Sequence, residues 1–123
     1  MARTKVMNNE KNIDSKSLIN DVPKNKLKVA DGLVQRYIGE ILLNIGDQYI
    51  NEAEGWINKA IETNERNGLK WHLGRDYNLF AELLRKRGDR LKAKEMLNKA
   101  KEIFKGCGAK GWMERTENDI ETL

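Results

Sequence analysis

ELLRKRGDRLKAKEMLNKAKEIFKGCGAKGWMER, residues 82–115, repeats the pattern of EILLNIGDQYINEAEGWINKAIETNERNGLKWHLGR, residues 40–75. Gly46 of the first copy matches Gly88 of the second, 42 residues later, whereas the letters NKA recur 40 residues apart. The first copy therefore holds two extra residues between Gly46 and Ala53. A recurrence of this length in a helical pattern is typical of stacked helix pairs.

Apolar residues recur at steps of three and four along successive segments, and glycines follow these segments. This spacing places the apolar residues on one side of an amphipathic helix. The stripes occupy residues 27–45, 50–61, 73–84 and 93–104, and a short closing helix carries Trp112, Met113 and Ile120. No segment alternates with the two-residue period of a strand. The sequence predicts an all-α fold of about five helices in tandem antiparallel pairs.

The chain divides by composition into an arm and a helical domain. Residues 1–22 are polar and lack periodicity, which predicts a disordered arm. Residues 23–123 form the predicted helical domain, with units at about 26–68 and 69–108 and the closing helix at about 110–123. The net charge is +4 and the single cysteine is Cys107. With no secretory signal or apolar run of about 20 residues, a cytoplasmic protein that neither spans a membrane nor has one as a partner is expected.

Residue types that carry chemistry are sparse. His72 is the only histidine, and no second histidine or cysteine stands at ligand spacing, so no metal is expected. Cys107 lies between glycines, but nothing in the spacing joins it to a base. The carboxylates are scattered and no glycine-rich phosphate loop is present. The sequence therefore predicts no enzyme, no catalytic residue and no cofactor.

Small residues stand at fixed places in both copies. The first helix of each pair carries one, seven residues before the glycine corner, and the second helix carries two alanines seven residues apart. These residues are Gly39, Ala53, Ala60, Ala81, Ala93 and Ala100. The pattern resembles the tetratricopeptide repeat, and it is most similar to the arrays that end large bacterial signalling proteins. The resemblance implies an α-solenoid in which these six residues pack where helices cross.

The resemblance also implies a groove lined by the first helix of each pair. The groove residues would be Arg36, Tyr37, Glu40, Leu43 and Asn44, followed by Arg75, Asn78, Glu82, Arg85 and Lys86. A groove of mixed charge suits an extended peptide or a partner helix. The leading hypothesis is a scaffold that binds a protein or peptide. Trp71 and Trp112 are assigned to packing between repeats, because they follow Gly68 and Gly108 at near-equivalent places.

Other interpretations remain open. Residues 85–94 hold six basic residues and one acid, and they could contact nucleic-acid phosphates, although an ordinary solvated corner is the favoured interpretation. Because the chain holds only two helix pairs, an apolar face is left that a second copy of the chain could cover. This predicts a homo-oligomer, most simply a dimer, with Trp56 as a contact. A third possibility is that the chain is the detached structural end of a larger signalling protein.

Overall fold

The computed structural model describes the backbone of residues 24–123 and the side chains of residues 30–123, so the predicted arm lies outside the described residues. The helices are α1 (Lys24–Ile45), α2 (Ile50–Arg66), α3 (Lys70–Lys86), α4 (Arg90–Gly106) and α5 (Lys110–Glu121), and a short 3-10 helix (Asp47–Tyr49) follows α1. No strand occurs within residues 24–123. The prediction of an all-α chain with five helices packed against their neighbours is confirmed over this range.

The helices belong to two compact units. The first ends at Thr63, and the second comprises Asn64–Leu123. The division falls inside α2, before the corner at Gly68 where the repeat pattern predicts a boundary. The first unit therefore contains α1 and most of α2, and the second contains the end of α2 with α3, α4 and α5.

In the first unit, α1 and α2 approach each other closely at Gly39. A Cβ atom at this position would lie 2.8 Å from Ile57 Cγ1 and 3.3 Å from the carbonyl oxygen of Ala53. Ala53 and Ile57 are 0% exposed. Only a residue without a side chain fits at this crossing, since the opposing helix presents a backbone atom as well as a side chain.

In the second unit, α3 and α4 approach each other closely at Gly74 of α3. A Cβ atom there would lie 2.6 Å from Phe104 Cε1, on α4. Phe104 is 0% exposed and is the largest of the fully buried side chains. Because Gly74 lies near the start of α3 and Phe104 near the end of α4, the two helices run antiparallel.

The six small residues to which the resemblance gives a packing role are all buried. α3 is buried on several sides rather than along the single predicted stripe. Its buried residues are Leu73, Gly74, Asp76, Leu79, Phe80, Ala81, Leu83 and Leu84. The stripe predicted within residues 73–84 consists of Leu73, Tyr77, Phe80, Ala81 and Leu84, so the buried Leu79 and Leu83 are not part of it.

Three helix corners share one geometry. Gly68, Gly88 and Gly108 have φ values of +68°, +84° and +76°, which favour glycine. At each corner the glycine N–H donates to the carbonyl three residues back, and the next N–H donates to the carbonyl five residues back. This pair of bonds is the Schellman motif. The glycines are 20 residues apart, and α2, α3 and α4 each contain 17 residues.

The corner at Gly46 is different, although its sequence matches that of Gly88. Gly46 is extended, with a φ of 170° and a ψ of 161°, and Asp47 begins the 3-10 helix. In the later corner, Asp89 instead caps α4, and its carboxylate accepts a hydrogen bond from the backbone N–H of Lys92 at 3.1 Å. The 3-10 helix falls in the interval where the first copy has its two extra residues.

Buried polar side chains are a feature that the apolar stripes do not predict. Asn64 and Asp76 are 0% exposed, and Asn64 Nδ2 donates to Asp76 Oδ2 at 2.6 Å. This bond joins the end of α2 to α3 within the second unit. Asn64 stands 40 residues before Phe104, which is the offset between the two copies of the repeat. The same repeat position is therefore polar in the first copy and aromatic in the second.

Candidate functional site

Two tryptophans and two arginines come together on the surface of the second unit. Trp71 and Arg75 extend from α3, and Trp112 and Arg115 extend from α5. The Arg75 guanidinium carbon lies 5.3 Å from the ring centroid of Trp71 and 4.2 Å from that of Trp112. The Arg115 guanidinium carbon lies 4.9 Å from the Trp112 centroid. These distances are within the range of cation–π attraction.

Helix geometry explains why these side chains meet. Trp71 and Arg75 are four residues apart on α3, and Trp112 and Arg115 are three apart on α5, so each pair shares one side of its helix. The two indole centroids are 6.0 Å apart with their planes at 84°. Trp112 also stacks on the buried ring of Phe104 at 5.7 Å and 28°. The cluster is therefore anchored in the core of the second unit.

An open cleft of about 490 Å³ lies beside this cluster, and we call it the tryptophan–arginine cleft. Its lining consists of Trp71, Ala109, Gly111, Trp112 and Arg115. The lining contains a cation and no carboxylate. Trp71 is 37% exposed, so part of its indole is available to a ligand. Tryptophan and arginine are enriched where protein partners bind, because each combines a large contact area with directional polar groups.

A second cavity of about 640 Å³ lies between α3 and α4. Leu73, Tyr77 and Ile103 supply its apolar lining. The charged and amide residues of its lining are Glu65, Lys70, Glu95, Asn98, Lys99 and Glu102. Burial raises the pKa of Tyr77, and the negative charges of Glu65 and Asp76 raise it further, because both disfavour the phenolate.

The raised pKa of Tyr77 predicts a loss of stability at high pH. The protonated phenol is neutral, so Tyr77 is equally protonated in the folded and unfolded states well below its ordinary pKa of 10.0. As the pH rises from the ordinary pKa through the raised one, the unfolded state ionises first and is favoured. Tyr77→Phe should therefore lose less stability than the wild type between neutral and strongly alkaline pH. Denaturation at a series of pH values checks this, and parallel curves for the two proteins would contradict it.

The structure places the predicted groove residues of the first unit in different environments. Arg36 and Leu43 are buried, at 7% and 2% exposure. Tyr37 and Glu40 are half-buried. Asn44 is exposed, and its Nδ2 donates to the carbonyl oxygen of Glu40 at 2.9 Å.

In the second unit, Arg75 belongs to the cluster beside the tryptophan–arginine cleft but not to the lining of the cleft. Asn78 is half-buried, and its side-chain amide lies 3.4 Å from the hydroxyl of Thr116 on α5. Glu82, Arg85 and Lys86 are exposed. Asn78, Glu82 and Arg85 follow Arg75 along α3 at steps of three and four residues, so they continue its side of the helix.

The remaining sequence candidates lie elsewhere. Trp56 is half-buried, with the Lys59 ammonium 5.0 Å from its ring centroid, and its role in self-association stays a prediction. The His72 ring meets Trp71 edge-on at 5.0 Å. Cys107 is exposed, and its sulfur lies 3.7 Å from the carbonyl oxygen of Phe104. Among the described residues, no group of three or more His, Cys, Asp or Glu side chains is arranged to hold a metal ion.

The tryptophan–arginine cleft was not predicted from the sequence. The repeat pattern placed Trp71 and Trp112 in the packing between repeats and Arg75 in the groove. The signal was nevertheless present, because Trp71 and Trp112 are each followed by an arginine, four and three residues later. What the pattern could not supply was the approach of α3 to α5, which brings the two pairs together.

Comparison of the chain with protein-family models, with curated proteins and with solved structures gives no match. The described helices include none that is both long and apolar enough to cross a bilayer.

Proposed function

We propose that the protein is an interaction module of the tetratricopeptide-repeat kind that binds a segment of a partner protein on the surface of α3 and α5. The single observation that carries this proposal is the tryptophan–arginine cleft. It concentrates, in one open cavity, the residue types that dominate binding energy at protein interfaces. The line of Asn78, Glu82 and Arg85 along α3 extends the surface beyond the cleft.

The lining defines the chemistry of the partner segment. An apolar side chain would pack against the exposed part of Trp71 and the edge of Trp112. A neighbouring carboxylate would pair with the Arg115 guanidinium, which is planar and donates two parallel hydrogen bonds. The partner therefore presents an apolar residue next to an acidic one. The absence of carboxylates from the lining supports this choice, because an acidic wall would repel such a segment.

Variants of the cleft test the proposal. The wild type, used as bait in a lysate of the native cell, should capture a partner protein. The Trp71→Ala and Arg115→Glu variants should fail to capture that protein. For the purified pair, Trp71→Ala should raise the dissociation constant by roughly 30-fold or more, because a central tryptophan contributes at least about 2 kcal/mol to the free energy of binding.

Lys105→Glu is the matched control, because Lys105 is exposed and lies outside the cleft lining. It reverses one charge, as Arg115→Glu does, and should leave capture unchanged. Circular dichroism must show that all three variants keep their helices. If the partner binds Trp71→Ala and Arg115→Glu as tightly as it binds the control and the wild type, the cleft is excluded as its site.

A further inference from the structure

The corner between α3 and α4 is a basic surface with one apolar residue exposed on it. Residues 85–94, RKRGDRLKAK, contain six basic residues, and the side chains of all six are exposed. Leu91 is 86% exposed, compared with 42% for Leu33 and 37% for Trp71, the other large hydrophobic side chains that are exposed in residues 30–123. We call residues 85–94 the basic corner.

The geometry of the basic corner is fixed by its backbone. Gly88 N–H donates to the Arg85 carbonyl at 2.9 Å, and Asp89 N–H donates to the Leu84 carbonyl at 2.9 Å. Asp89 is the only acid of the run, and its carboxylate accepts the Lys92 N–H at the start of α4. This acid is therefore occupied as a helix cap. Glu95, one turn after Leu91, is the next acid along the chain.

We propose that the basic corner docks on the surface of an anionic lipid bilayer. The charges of Arg85, Arg90, Lys92 and Lys94 would lie among the lipid headgroups, and Leu91 would enter the boundary between headgroups and acyl chains. This contact lies outside the lining of the tryptophan–arginine cleft and shares only Arg85 with the surface that extends beyond it. It does not depend on the proposed partner.

A bilayer explains the basic corner better than nucleic acid does. Phosphates of RNA or DNA would attract the basic residues equally well. They would leave Leu91 in water, however, and the run contains no aromatic side chain on which a base could stack. Of these two partners, only the bilayer offers an apolar phase next to its negative charges, so it alone of the two uses both properties of the corner.

The two kinds of contact contribute separately to binding. Each basic residue near an anionic membrane surface strengthens binding about fivefold, and screening by salt weakens this part. Burial of most of a leucine side chain adds roughly tenfold or more, and salt does not screen it. Binding to vesicles should therefore fall steeply, but not completely, between low salt and about 0.15 M salt.

Co-sedimentation of the full chain with vesicles tests the proposal. One set contains phosphatidylcholine alone, and the other contains phosphatidylcholine with about one third phosphatidylserine. The protein should bind the anionic vesicles and not the neutral ones. Leu91→Gln should weaken binding about tenfold, and Arg90→Gln with Lys92→Gln should weaken it about 25-fold, at fivefold for each charge.

Two matched controls accompany these variants. Leu33→Gln removes the other exposed leucine, and Lys105→Gln with Lys110→Gln removes two exposed charges elsewhere; both should bind like the wild type. No binding to anionic vesicles at low salt would overturn the proposal. Vesicle binding that Leu91→Gln leaves unchanged would also overturn it, and duplex RNA bound as tightly as the vesicles would then assign the corner to nucleic acid.

Discussion

Phe104→Ala is expected to lower the free energy of unfolding by about 3–5 kcal/mol, the usual cost of removing a fully buried phenylalanine side chain. Phe104 is 0% exposed, and its ring lies where any side chain at Gly74 would stand. It also stacks on Trp112, so its loss removes a contact to α5 as well as to α3. The cavity left behind adjoins the backbone of α3 at Gly74, which cannot easily close over it. Chemical denaturation followed by circular dichroism measures the change.

Lys105→Ala is the control for this variant, because Lys105 is the next residue of α4 and is exposed. Its effect should stay within about 0.5 kcal/mol, as expected for a surface substitution. Equal losses for the two variants would mean that Phe104 does not join α3, α4 and α5. A second readout is tryptophan emission, which should shift to longer wavelength in Phe104→Ala because removing the stacked ring exposes more of the Trp112 indole to water.

Gly39→Val is expected to cost about 3 kcal/mol, at the upper end of the usual range for overpacking a close contact. Its Cβ would lie 2.8 Å from Ile57 Cγ1 and 3.3 Å from the Ala53 carbonyl oxygen. The isoleucine side chain can move, but the carbonyl belongs to the backbone of α2 and cannot. The two methyl groups of valine would therefore push α1 and α2 apart. Thermal and chemical denaturation should both show the loss.

Gly55→Val is the matched control on α2. A Cβ atom at Gly55 meets nothing within 4 Å, and the position is exposed. Valine is slightly better than glycine in a helix, by a few tenths of a kcal/mol, so this variant should be neutral or slightly stabilised. If Gly39→Val is also neutral, α1 and α2 do not cross at Gly39.

The all-α class and the five helices could be predicted from the sequence because apolar spacing and glycine corners are local signals. The recurrence of six small residues in both copies could also be read from the sequence, and all six are buried, while their shared role at helix crossings stays a prediction. The single stripe expected for α3 was too narrow, because a helix contacted on several sides buries residues that one stripe does not contain. Leu79 and Leu83 are examples.

Features that depend on pairs of distant residues could not be predicted. The Asn64–Asp76 bond places an amide and a carboxylate in the interior, and neither residue belongs to an apolar stripe. Gly46 and Gly88 match in sequence, yet only Gly88 has a positive φ, because the 3-10 helix after Gly46 takes the chain around that corner instead. The tryptophan–arginine cleft likewise needs the approach of α3 and α5, which residue spacing does not contain.

Site-specific photo-crosslinking from within the cleft tests its proposed role most directly. Gly111 belongs to the cleft lining, and a Cβ atom there meets nothing within 4 Å, so a photoreactive side chain can be introduced without displacing a neighbour. Gly106 is equally unobstructed and exposed but lies outside that lining, which makes it the matched control. Irradiation in the native cell should join a partner protein to the Gly111 variant and not to the Gly106 variant. Cross-linking of no protein from Gly111, or of the same proteins from both positions, would contradict the assignment of the cleft as a partner-binding site.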